Sequence, residues 1–105
     1  MKIYSENLLM RYNPVELQNE VLPLHFLMAL PKKKLGAVGR NRLRRICKSA
    51  LFQAMKNMTD VLNRELNNSY NIVIHARENF NDLLENERVH EFETLLKRLI
   101  KKASS

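Results

Sequence analysis

From Leu43 to Val61 the apolar residues Leu43, Ile46, Cys47, Ala50, Leu51, Ala54, Met58 and Val61 recur at threes and fours. That spacing keeps one side of a 3.6-residue helix apolar, so the stretch predicts one amphipathic helix over about 38–66. Such a helix must lay its stripe on something, and the flanking sequence supplies strands. Residues 6–12 alternate Leu8, Met10 and Tyr12 with Asn7, Leu9 and Arg11, a strand with one apolar and one mixed face. Asn13 and Pro14 are expected to end it, with VELQNEV as a polar connection. Residues 24–30, LHFLMAL, are apolar on both faces, as expected of an interior strand, and Pro31 and Gly36 punctuate its end. Asn67, Asn68 and Ser69 close the helix, and residues 71–76, NIVIHA, predict a third strand. Phe92, Leu95, Leu96, Leu99 and Ile100 predict a closing helix over about 86–103, capped near Asn86. The order strand, strand, helix, strand, helix reads as α+β: a small α/β sandwich, a short sheet against two helices, in one domain over residues 1–105.

The charge is concentrated on one of these elements. Residues 31–48 hold Lys32, Lys33, Lys34, Arg40, Arg42, Arg44, Arg45 and Lys48 with no acid, while the rest of the chain carries ten cations and eleven acids. The whole formal charge of +7 therefore comes from one short block. On a helical wheel Asn41, Arg44, Arg45 and Lys48 fall opposite the apolar stripe and Arg42 at its flank. Solvated surface is the ordinary explanation of a charge run. Here uncompensated cations repel one another and gain when a polyanion neutralises them. Four are arginines, whose planar fork suits phosphate oxygens. Nucleic acid is the leading partner, with DNA and RNA unresolved by composition. Lys97, Arg98, Lys101 and Lys102 have a simpler reading, since they suit the negative end of the closing helix.

Catalysis by side chains finds little support. His25, His75 and His90 are scattered and match no metal-ligand spacing, so no metal or catalytic residue is assigned. Cys47, the one cysteine, sits on the apolar stripe and reads as core; a single cysteine also allows no internal disulfide and suits a reducing cytosol. The only glycines are Gly36 and Gly39, too few for a phosphate-cradling loop. The acids from Glu78 to Glu93 read as a solvated face. No apolar run reaches the length of a membrane span, and a membrane partner is not expected.

The run Lys33, Lys34, Leu35, Gly36, Ala37, Val38, Gly39, Arg40, Asn41, Arg42, Leu43, Arg44, Arg45 resembles the bacterial ribonuclease P protein component. NIVIHAR, followed by a helix ending LLKRLIKKA, resembles that family's last strand and helix, in the same order. The resemblance covers Tyr4 to about Ala103. It implies a left-handed strand–helix–strand crossover, against the usual rule of handedness. It also implies that the basic helix contacts the catalytic RNA through Lys33, Lys34, Arg40, Asn41, Arg42, Arg44, Arg45 and Lys48. The sheet face beside it, with Asn7, Leu9 and Arg11, would form a groove for the 5′ leader of precursor tRNA. Magnesium ions held with the RNA subunit would supply the chemistry, and a monomeric protein in the bacterial cytoplasm would assist leader removal. The family begins with a Phe-bearing helix that this sequence is expected to lack. One basic or polar residue usual between Gly36 and Ala37 is missing, the segment before the last strand is longer, and His75 stands where an aliphatic residue is typical. Two rival readings use the same basic helix: a sequence-specific DNA binder with the helix in a major groove, and a non-enzymatic ribosomal or ribosome-assembly protein.

Overall fold

The computed structural model describes residues 1–15, 24–30, 36–66 and 69–104. Four strands, β1 (Lys2–Tyr4), β2 (Leu8–Val15), β3 (Leu24–Ala29) and β4 (Ser69–Ala76), form one sheet in the order β1-β2-β4-β3. Helices α1 (Gly36–Asn57) and α2 (Thr59–Glu65) connect β3 to β4, which lie parallel and adjacent. A short 3-10 turn (Glu78–Asp82) then leads into α3 (Glu85–Ser104). The result is an α+β sandwich of a mixed sheet and helices, as the periodicities imply.

The strand alternation decides which sheet face meets the helices. Ile3, Leu8, Met10, Tyr12, Tyr70, Ile72, Ile74 and Ala76 are buried on one side. They join one core with Leu43, Cys47, Ala50, Leu51 and Ala54 of α1 and with Phe92, Leu95, Leu96 and Leu99 of α3. Phe80 of the 3-10 turn meets Phe92 edge-on, with ring centres 5.7 Å apart. Registers place Lys2, Arg11, Val73 and Leu27 in one row on the opposite, outward face, and Tyr4, Leu9, His75 and Ala29 in the next.

Several boundaries differ from the sequence expectation. The strand expected at 6–12 starts at Leu8, runs on to Val15 and pairs with β4 through Asn13 and Pro14. Tyr12 donates its N–H to Met1 on the β1 side, so two residues on the N–H that Pro14 lacks would point to the same side, beyond the end of β1. An edge of this kind tolerates proline. The strand at 24–30 is an edge strand, not an interior one, and Leu27 is 65% exposed on its outward face. The helix expected over 38–66 is two helices, broken at Met58 with φ −113° and ψ 14°. The Thr59 hydroxyl donates to the carbonyls of Met55 (2.9 Å) and Lys56 (3.2 Å), a bond that competes with the helical ladder. The closing helix starts at Glu85, not Asn86; Leu84 precedes it, and Glu87 reaches back to accept the Leu84 N–H at 2.9 Å. β1 is an additional strand.

Candidate nucleic-acid interface

Helix α1 opens at Gly36, whose φ of +64° is a conformation only glycine adopts without strain. Its carbonyl accepts a hydrogen bond from Arg40 Nε at 3.3 Å. The stripe of α1 then fixes the rotation of the helix. With Leu43, Cys47, Ala50, Leu51 and Ala54 packed inward, Asn41, Arg42, Arg44, Arg45 and Lys48 are exposed and Arg40 is half-buried. Burial pushes the Cys47 thiol up to about 12, against the opposing pull of Arg88, so it stays protonated and unreactive at neutral pH. Lys33 and Lys34 lie outside the described residues.

The charges on α1 oppose helix stability. No acid occurs anywhere in the helix, so its closely spaced cations repel one another without compensation. An anionic partner reverses that penalty. Phe52 lies on the same side at helical spacing from Arg45, Lys48 and Lys56, and its ring is 71% exposed. It is a flat apolar surface on a cationic ridge. Sequence reading missed it because one exposed phenylalanine breaks no periodicity.

Across the fold, α3 brings a further cation to this surface. Arg88 lines a groove of about 450 Å³ between α1 and α3 together with Arg42 and Arg45. Its charge is hard to pick out in the sequence because Glu85, Glu87 and Glu91 surround it.

The expected sheet-face trio is only partly brought together. Arg11 is exposed on the outward face, with half-buried Leu9 two residues before it. Asn7 does not share that face: it is 5% exposed and tied to α3. Its backbone N–H donates to Glu91 Oε1 at 2.9 Å and its Nδ2 to Oε2 at 3.0 Å, while the Ser5 hydroxyl donates to Oε1 at 2.6 Å. The reason is burial, since a polar side chain under the β1–β2 turn needs a partner and the carboxylate supplies one. Glu91 is thus a structural anchor, in contrast to the solvated role expected for its acidic segment. The outward face instead gains Lys2, Tyr4 and His75. Burial, then Arg11 and Lys2, hold the His75 pKa below the ordinary histidine value, which favours the neutral ring.

Comparisons with known proteins bear on the family and the fold. The family model described as Ribonuclease P matches residues 1–100. The fold is similar to that of the RNase P protein from Thermotoga maritima, solved in complex with 1-(4-fluorophenyl)-2-thiourea, with a TM-score of 0.67 and 17% identity over 93% of this chain and 84% of that one. The Staphylococcus aureus RNase P protein gives a TM-score of 0.61 and 19% identity over 100% of this chain and 84% of that one. No curated protein matches by sequence. A family match over nearly the whole chain, joined to the shared fold, places the chain in the ribonuclease P family as its protein component.

Proposed function

We propose that the protein docks through the exposed face of α1 on the catalytic RNA of ribonuclease P and helps that RNA remove the 5′ leader from precursor tRNA. The acid-free face of α1, whose crowded cations have no compensating acid within the helix, carries this reading. A buried stripe on one side and six cations on the other suit a helix that is packed by its fold and neutralised by its partner. Arg40, Asn41, Arg42, Arg44, Arg45 and Lys48 are the proposed contacts, with Lys33 and Lys34 continuing them upstream. Phe52 offers a stacking surface to an unpaired base. Leu9 and Arg11, with Lys2 and Tyr4 beside them, are the proposed leader contacts.

Cleavage itself is assigned to the RNA. Among the described residues no group of three or more His, Cys, Asp or Glu side chains comes together to hold a metal ion. In this reading the side chains of the protein neutralise and position phosphates, and magnesium is held with the RNA. Reconstitution with a bacterial ribonuclease P RNA at low magnesium tests the assignment. Stimulated release of the tRNA leader is the expected result. Tight RNA binding without stimulation would refute it.

A further inference from the structure

The groove between α1 and α3 has a feature that helix packing leaves unexplained. Arg88 enters it from α3, half-buried, and its Nη2 donates to the Asn81 carbonyl at 3.1 Å. That bond holds the guanidinium against the 3-10 turn. Its Nε is buried and has no hydrogen-bond partner among the described residues. A shielded arginine donor without an acceptor is costly, and such groups are rare in folded proteins.

The Nε itself is closed off, so what Arg88 offers the groove is the rest of its fork, and the surroundings say which ligand fits. Arg42 and Arg45 line the same groove from α1, with Ser49 and Gln53 as neutral hydrogen-bonding neighbours. Glu85 is the one acid in the lining, so three arginines outnumber it and the groove is net cationic. Arginines from two elements around one concavity match a tetrahedral, multiply charged acceptor better than a single carboxylate. The groove also opens beside the face of α1 assigned to RNA. We propose that it binds one phosphate group of the RNA subunit's backbone, with Arg88 holding it from α3 opposite Arg42 and Arg45.

This inference rests on the docking role of α1, and the test separates the two. Binding to ribonuclease P RNA is measured across a salt series for the full chain and for Arg88→Gln, Arg88→Lys and Arg45→Ala. Arg88→Gln should weaken binding by about tenfold at moderate salt and reduce the log-affinity salt slope by about one, as loss of one phosphate contact requires. Arg88→Lys keeps the charge but loses the fork, and should retain the slope while losing part of the affinity. If Arg88→Gln lowers only the melting temperature and leaves affinity and slope unchanged while Arg45→Ala reduces both, Arg88 is a pin for the 3-10 turn and the phosphate site is wrong. Unchanged binding in Arg45→Ala as well would overturn the docking helix itself. Inorganic phosphate distinguishes the source of the anion. Should it raise the melting temperature of the native chain but not of Arg88→Gln, while RNA affinity and slope ignore the substitution, the groove takes free phosphate and the assignment to RNA fails.

Discussion

His75 stands opposite Leu9 of β2 and Ala29 of β3 on the outward sheet face, with Arg11 and Lys2 the charged groups that act on it. Its Nε2 is shielded and unpartnered among the described residues, and both burial and the two cations disfavour a charged ring. The folded-state pKa therefore lies below the ordinary value, so the unfolded chain takes up the proton first as pH falls. The linkage has a definite sign: the contribution is fully present above about pH 6.5 and is lost as pH drops through the folded-state pKa. Denaturant titrations between pH 7.5 and 5 should show a loss of stability in the native chain that is smaller in His75→Val. Equal losses in the two proteins would show that His75 does not carry the effect. At neutral pH the outward face consequently draws its charge from Arg11 and Lys2, not from the histidine.

Helix α1 packs one side on the core and turns its cations to the other, so under the proposed docking role substitutions on it should separate cleanly. Leu43 is fully buried, and Leu43→Ala should cost about 2–5 kcal/mol while leaving the salt dependence of RNA binding unchanged. Arg45 is exposed, and Arg45→Ala should change stability by no more than about 0.5 kcal/mol but reduce the salt slope by about one. Thermal melts followed by circular dichroism, paired with salt titrations, check both; a slope change in Leu43→Ala with the fold intact would contradict the division. This helix was legible because stripe and charge are periodic and strong. Its break at Met58 was not, since Met58 and Leu62 continue the buried side without interruption. β1 escaped notice because three residues give only one alternation, Ile3 inward between exposed Lys2 and Tyr4. β3 was mistaken for an interior strand because exposed Leu27 mimics burial on a second face. In the site, Asn7 was misplaced because nothing local in the sequence signals its distant partner Glu91, and Arg88 was hidden among the acids Glu85, Glu87 and Glu91, of which only Glu85 shares its groove.

At the scale of the molecule, the sandwich separates two surfaces. The helices cover the inner face of the sheet and present α1's cations outward, while the other sheet face carries Lys2, Tyr4, Leu9, Arg11, His75 and Leu27. Their character differs. The α1 face is dense in charge and holds Phe52, whereas the sheet face has two cations, one tyrosine 56% exposed, exposed Leu27 and half-buried aliphatic side chains. Strong salt dependence belongs to the first surface, and contact with a single extended strand suits the second. Aromatic stacking on a base is worth about 1–3 kcal/mol, and Tyr4 on the adjacent strand can provide one such contact. Arg11 lies between Lys2 and Val73 across the strands, so its guanidinium can pair with a phosphate or lie flat on a base. Arg11→Ala should weaken binding of precursor tRNA with a long leader to the reconstituted complex by about fivefold, roughly 1 kcal/mol. Mature tRNA has no leader to meet this face, and its binding should stay within error. Comparing the two ligands on the same preparation decides the matter, because a general loss of fold or of RNA-subunit docking would weaken both. Equal losses would remove Arg11 from the leader path and leave the outward sheet face without its assigned partner.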